Sequence, residues 1–241
     1  MSETPDLRAY QGVLFDLDGV ITPTAEVHMH AWATMFTELF AAWNVTPPYT
    51  EADYFRYLDG KKRYDGVASV LRSRAIEVPW GEPSDPVTAD TVCGIGNRKN
   101  VFFERALHTD GISPYPGSLR LLDALQASGT PVAVVSSSKN AEQVLATAGI
   151  RDRFPVVMDG LVAEREHLAS KPAPDVFARA AEMLGVDPRH SVAVEDALSG
   201  VASAAAAGYG LVVGVDRGAG ESALRDAGAD LIVTDLEELV P

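Results

Sequence analysis

Two pairs of carboxylates stand out in this 241-residue chain: Asp16 and Asp18 in GVLFDLDGV, and Glu195 with Asp196 in SVAVEDALSG. Each pair directly follows a short, solidly apolar run, the pattern of a buried strand that opens into a polar turn. The run PVAVV ends in the same way, in Ser136, Ser137, Ser138, Lys139 and Asn140, and Lys171 sits in SKPAPD just ahead of a helical stretch. In an open α/β sheet, ligands bind beyond the carboxyl ends of the strands, so these residues are expected to converge on one edge. Carboxylates gathered at close quarters are unfavourable unless a cation joins them, which predicts Mg²⁺ held by oxygen ligands. Taken singly, each feature has a plainer explanation. Asp-x-Asp caps turns, a serine run starts helices, a lysine before proline is commonly solvated, and Glu-Asp suits the first turn of a helix. Their succession at four places along the chain marks a site.

The elements that must position these residues can be read from periodicity. Apolar runs at 12–18, 131–135, 155–158, 191–194, 211–215 and 230–233 alternate with helical patterns at about 117–127, 140–147, 174–184 and 199–207 and with one last helix. Such alternation predicts an α/β fold with a parallel sheet covered on both faces. Between the first strand and the rest lies a block without a convincing strand. Helical spacing covers 24–44 and about 51–58, 64–74 and 97–107, with the breaker-rich VPWGEPSDPV among them. The expected organisation is a core of residues 1–23 and 111–241, interrupted by an all-helical insertion at 24–110.

Composition narrows the class of function. Hydrophobic residues make up 46% and charged residues 22%, ordinary for a globular protein, and 20 Lys+Arg against 34 Asp+Glu leave a net charge of −14. A field of that sign repels phosphate backbones and anionic lipid headgroups, so nucleic acid and membrane partners are not expected. No apolar run reaches the ~18 residues of a membrane span. MSETPDLRAY has no basic start followed by an apolar stretch, and the single Cys93 cannot form an internal disulfide. A cytoplasmic monomer is expected. GIG at 94–96 runs into Asn-Arg-Lys and does not complete a dinucleotide fingerprint, and neither a serine-hydrolase elbow nor a Walker loop occurs.

The segments FDLDGVITPTAEVHMHAW, SSSKN, SKPAPDVF and VEDALSGVASAAAAG closely resemble the haloacid dehalogenase superfamily, and within it the β-phosphoglucomutase-like branch. The resemblance covers nearly the whole chain. It implies a doubly wound, Rossmann-like core with a helical cap inserted after the first motif. It further implies that Asp16 is the nucleophile that takes a phosphoryl group, that Asp18 is the general acid/base, and that Ser136 and Lys171 hold the transferring phosphate. Asp16, the backbone carbonyl of Asp18, Asp196 and Glu195 would surround Mg²⁺. By the same resemblance the cap contributes Thr24, His28, Arg63 and Lys99 to the substrate site, and Ser137, Ser138, Lys139 and Asn140 complete it from the core. The implied substrate is a small phosphorylated sugar, with β-glucose 1-phosphate converted to glucose 6-phosphate. Two segments depart from the branch: Pro23 stands where its mutases usually carry an acidic residue, and DGKKRYDG differs from their usual cap loop. These departures bear on the choice of sugar more than on the phosphoryl chemistry, and the alternative reading is a sugar-phosphate phosphatase of the same superfamily, with the same first half-reaction and water in place of the sugar hydroxyl in the second. A non-catalytic phospho-acceptor module is a more remote one, since a signalling module needs neither the inserted block nor Asp18.

Overall fold

The computed structural model describes residues 5–241. Residues 1–4, part of the segment expected to lack a targeting signal and of the 1–23 stretch assigned to the core, lie outside the described residues. The chain divides into two compact units, one of Met1–Thr24 with Ile112–Pro241 and one of Ala25–Gly111.

Among the described residues the α-helices are, in order, α1 (Thr24–Ala42), α2 (Glu51–Asp53), α3 (Arg63–Ser73), α4 (Val92–Asp110), α5 (Pro116–Ser128), α6 (Ala141–Thr147), α7 (Gly160–Arg165), α8 (Asp175–Leu184), α9 (Leu198–Ala206) and α10 (Glu221–Ala227). The strands are β1 (Val13–Phe15), β2 (Val132–Val135), β3 (Val156–Met158), β4 (Val192–Glu195), β5 (Leu211–Val215) and β6 (Leu231–Val233). They form one sheet in the order β3-β2-β1-β4-β5-β6, with every neighbouring pair parallel. Every residue of β1, β2, β4 and β5 is buried, whereas the edge strands β3 and β6 begin half-buried. Burial on both faces is why unbroken Val, Ala and Leu runs serve as strands. Helix α8 packs on β2 and β3 and α9 on β4 and β5, and Leu14, Val135, Ala193, Phe177 and Val201 join in the core between them.

The register delivers the site. Phe15 pairs with Val134 on one side and Val194 on the other, so one residue further on Asp16 comes level with Val135 and Glu195. The strand order reverses at β1, and the crevice beyond the carboxyl ends of β1 and β4 is the switch point where such sheets bind ligands.

In the helical unit, Trp32, Met35, Phe36, Leu39 and Phe40 of α1 pack with Val67, Val70 and Leu71 of α3 and with Val92 and Ile95 of α4. The helical pattern expected at 51–58 is α-helical only to Asp53; the following turn, Tyr54–Leu58, widens to a π-turn closed by the Asp59 N–H on the Tyr54 carbonyl at 3.0 Å. Helix α4 starts at Val92, ahead of the expected 97, with Thr91 as a cap accepting the Gly94 N–H at 3.0 Å. Its glycines are packing residues. A Cβ on Gly94 would fall 2.4 Å from the Ala89 carbonyl oxygen, and one on Gly96 would fall 2.8 Å from the Tyr64 ring and 3.2 Å from Arg63 Cδ. No helix among the described residues is long and apolar enough to cross a membrane.

Candidate active site

Lys171 is the centre of the buried polar cluster. It is 1% exposed, and its ammonium donates to Asp16 Oδ1 at 2.7 Å, to the Val135 carbonyl at 3.2 Å and to Glu195 Oε1. The ammonium also lies over the Phe177 ring, 5.2 Å from its centroid. Burial acts to lower its pKa, but Asp16 and Glu195 outweigh that and raise it, so Lys171 stays charged.

Asp16 is buried at the end of β1. Its second oxygen, Oδ2, accepts the Asp18 backbone N–H at 2.8 Å. Burial pushes the Asp16 carboxyl well above the usual carboxylate range; Lys171 opposes this, while the charges of Glu195 and Asp18 add to it. Glu195 is fully buried, and its other oxygen accepts the Ala197 N–H at 2.9 Å. Asp196 lies against the Cα of Gly19, which has φ +88°, and a Cβ there would fall 2.0 Å from Asp196 Oδ2. Asp16, Glu195 and Asp196 each offer an oxygen, and these all lie within 4.8 Å of one another. Three carboxylates share one lysine, so this buried group carries excess negative charge that a divalent cation would offset, and an all-oxygen donor set suits a hard ion. The group could hold a metal.

The Asp18 side chain lies outside that set. Its Oδ1 accepts from the Thr24 hydroxyl and its Oδ2 from Ser136 Oγ at 3.3 Å. The Thr24 hydroxyl lies 2.8 Å from that of Thr22, and Thr22 Oγ lies 3.2 Å from the Leu17 carbonyl oxygen. The serine run after β2 folds as a tight loop, with Ser136 Oγ accepting the Ser138 N–H at 3.0 Å and Ser138 Oγ the Asn140 N–H at 3.1 Å. Ser137 lies half-buried between them and Asn140 is buried. Lys139 is ion-paired to Glu164 of α7 at 2.7 Å.

In the helical unit the structure brings His28 and Lys99 together. The Lys99 ammonium, 2% exposed, is hydrogen-bonded to His28 Nδ1. It also lies 4.8 Å and 5.0 Å from the ring centroids of Phe103 and Trp32, and His28 stacks on Phe103 at 4.1 Å. Arg63, the first residue of α3, donates to Asn100 Oδ1 at 2.7 Å, next to Lys99 in sequence.

The strand-end rule, applied to all the strands, would have found two residues that the sequence analysis passed over. After β3, Asp159 caps α7 by accepting the Leu161 and Val162 N–H groups at 3.0 and 2.8 Å. After β5, Arg217 reaches the Gly19 carbonyl at 2.8 Å. Gly160 and Gly200 carried no sequence signal. A Cβ on Gly160 would fall 2.7 Å from the Ser137 carbonyl oxygen, and one on Gly200 would fall 1.8 Å from Glu195 Oε1.

A family model described as haloacid dehalogenase-like hydrolase matches residues 10–208. A β-phosphoglucomutase of Mycobacterium tuberculosis is 51% identical over 237 residues, which span 94% of this chain and 90% of that protein. The β-phosphoglucomutase of Bacillus subtilis is 32% identical over 232 residues, 95% of this chain and 91% of that protein. Among solved structures, a Clostridium difficile β-phosphoglucomutase superposes with a TM-score of 0.77 at 25% identity, covering 95% of this chain and 93% of that one. A CbbY variant from Rhodobacter sphaeroides, in complex with xylulose-(1,5)bisphosphate, has a TM-score of 0.73 at 26% identity, covering 95% of this chain and 96% of that one.

Proposed function

The chain belongs to the haloacid dehalogenase-like hydrolase family, and from that membership we propose that it moves a phosphoryl group between oxygens of a hexose phosphate, converting β-glucose 1-phosphate to glucose 6-phosphate. One observation carries the chemistry: a buried carboxylate, Asp16, has Lys171 on one oxygen and the Asp18 N–H on the other, with the Asp18 carboxyl held separately by Thr24 and Ser136. The 51% identity to a β-phosphoglucomutase supports the choice of sugar.

In the first half-reaction an Asp16 oxygen attacks phosphorus, the bond from phosphorus to the sugar oxygen breaks, and Asp18 delivers its proton to that leaving oxygen. Asp18 suits this role because its side chain is anchored by two hydroxyls and is not one of the three grouped carboxylates. In the second half-reaction a sugar hydroxyl attacks the aspartyl phosphate and gives its proton back to Asp18. Lys171 and Ser136 hold the equatorial phosphate oxygens and offset their charge as the displacement proceeds in line. Mg²⁺, bound by Asp16, the Asp18 carbonyl, Asp196 and Glu195, would neutralise the charge that otherwise keeps one anion from attacking another. For the second phosphate of a bisphosphate we assign Arg63, Lys99 and His28 from the helical unit and Lys139 and Asn140 from the serine loop, with Arg63 giving a bidentate clamp.

The test supplies β-glucose 1-phosphate with a trace of glucose 1,6-bisphosphate and follows glucose 6-phosphate and free phosphate in the same sample. Glucose 6-phosphate forming faster than phosphate supports the mutase. Stoichiometric phosphate with no glucose 6-phosphate would transfer the assignment to a sugar-phosphate phosphatase, in which water takes the place of the sugar hydroxyl.

A further inference from the structure

We propose that Arg217 is a positioning residue for phosphoryl transfer, holding the turn after Asp18 in the geometry the acidic group requires. Arg217 lies just beyond the carboxyl end of β5. Its Nε donates to the Gly19 carbonyl at 2.8 Å and its Nη1 to the Thr234 carbonyl, just past β6, at 3.0 Å. Its guanidinium carbon lies 4.1 Å from the Tyr115 ring centroid, and the Tyr115 N–H in turn donates to the Ile21 carbonyl at 2.9 Å. One planar group thus ties the Gly19–Ile21 turn to the ends of β5 and β6 and to the segment entering α5.

What the turn carries makes the tie consequential. Gly19 sits at φ +88° with its Cα pressed against the Asp196 carboxylate, and its N–H closes the turn on the Thr22 carbonyl at 2.7 Å. Displacing the Gly19–Val20 peptide, whose oxygen Arg217 holds, disturbs the Gly19 Cα against Asp196 and, through that Cα, the preceding Asp18–Gly19 peptide and the turn leading to Thr22 and Thr24 beside the Asp18 side chain. Arg217 fixes the peptide by its oxygen. The surroundings do not call for a cation on grounds of stability. The guanidinium's hydrogen-bond partners are two backbone carbonyls, and its buried Nη2 has none. Among the described residues the half-buried guanidinium makes no ion pair with a carboxylate, so its charge adds little to stability over an apolar side chain of similar length, whereas its planar fork alone can grip two carbonyls on separate elements.

The activity arm of the test rests on the phosphoryl-transfer function proposed above, and the amide-exchange arm does not. In Arg217→Met and Arg217→Ala, hydrogen exchange of the Gly19, Ile21 and Thr22 amides should speed up at least about tenfold. The β4 amides and the thermal midpoint should stay near those of the parent. Displacement of the reacting groups by a fraction of an ångström to ~1 Å should lower kcat by about tenfold to a hundredfold. KM for the sugar phosphate should move less than about twofold, because Arg217 makes none of the contacts assigned to substrate. Added guanidinium at millimolar concentration should restore part of the kcat of Arg217→Ala, and Arg217→Lys, which keeps the charge and loses the fork, should remain impaired. Unchanged turn exchange in a folded Arg217→Met overturns the proposal. So does a loss of kcat that tracks the loss of global stability and does not respond to guanidinium. A parent enzyme that transfers no phosphoryl group but whose turn loosens in Arg217→Met would overturn the proposed function and leave the tie intact.

Discussion

Replacing Gly200 by alanine adds one methyl group in a helix, where alanine is ordinarily preferred over glycine by about 1 kcal/mol. The structure predicts the opposite sign. The added Cβ would fall 1.8 Å from Glu195 Oε1, 2.0 Å from its Cδ and 2.5 Å from its Oε2, so the whole carboxylate must move. Glu195 is fully buried and held at both oxygens, by Lys171 and by the Ala197 N–H, and it cannot move without giving up at least the lysine. Breaking a buried ion pair costs about 3–5 kcal/mol. Setting the helix gain of about 1 kcal/mol against it leaves a net loss of roughly 2–4 kcal/mol. For a chain of this size that is a fall in Tm of roughly 5–15 °C. The assay is thermal and urea unfolding of Gly200→Ala, alone and in a Glu195→Ala background. With the carboxylate gone the methyl group has room, and there the substitution should be neutral or stabilising by up to about 1 kcal/mol. A Gly200→Ala protein within about 0.5 kcal/mol of the parent, or the same loss in both backgrounds, would refute the reasoning.

In the helical unit, Asp53 and Arg74 form an ion pair at 2.7 Å with side chains only 8% and 7% exposed. Burial raises the Asp53 pKa, but the Arg74 and Thr50 hydrogen bonds outweigh it and hold the carboxyl below its ordinary value. The stabilisation is therefore complete above the unfolded value of ~3.9 and lost as pH falls through the lower folded one. Asp53→Asn should melt below the parent at pH 6, the gap narrowing as pH drops below about 4, and a gap independent of pH would remove the ion pair as its cause. Arg63→Ala should slow conversion of β-glucose 1-phosphate by roughly ten- to a hundredfold, the loss of one charge-assisted contact of ~1.5–3 kcal/mol. It should slow hydrolysis of acetyl phosphate much less, and equal effects on both would place Arg63 outside the second phosphate site. Exhaustive chelation should abolish turnover, Mg²⁺ should restore it and Ca²⁺ should inhibit, since the larger ion takes more ligands at longer distances. Turnover that survives chelation would remove the metal.

The sheet was legible in the sequence because its strands are buried on both faces, which forces solid runs such as VAVV and LVVGV between helices. Helix α7 was not read. It spans only Gly160–Arg165, and its cap Asp159 followed by a glycine has the look of a turn. The first turn of α4 was missed for a related reason. Gly94 and Gly96 lower helix propensity, yet the helix needs them because Ala89, Tyr64 and Arg63 press against it. The π-turn at Tyr54–Leu58 falls outside the 3.6-residue period that a sequence pattern reveals.

At the site, the residues that end strands were visible by position, but their division of labour was not. Asp16 and Asp18 look alike in FDLDG. Only the fold sends one carboxylate to Lys171 and the other to Thr24 and Ser136. Glu195 and Lys171 are 24 residues apart in the chain, and no spacing rule makes them a buried pair. Thr22, Gly200 and Arg217 act through contacts to residues distant in sequence or around a turn, so their types alone gave no sign.

The central claim is that Asp16 carries the phosphoryl group. It is tested most directly by mixing enzyme with sugar phosphate or acetyl phosphate, quenching in acid within one turnover and mapping the phosphate by mass spectrometry of peptides, with Asp16→Asn as control. The account predicts phosphate on Asp16 in the parent and on no residue in Asp16→Asn, whose turnover should fall by several orders of magnitude because an amide cannot form the covalent intermediate. Phosphate on another residue, or normal turnover by Asp16→Asn, would contradict it.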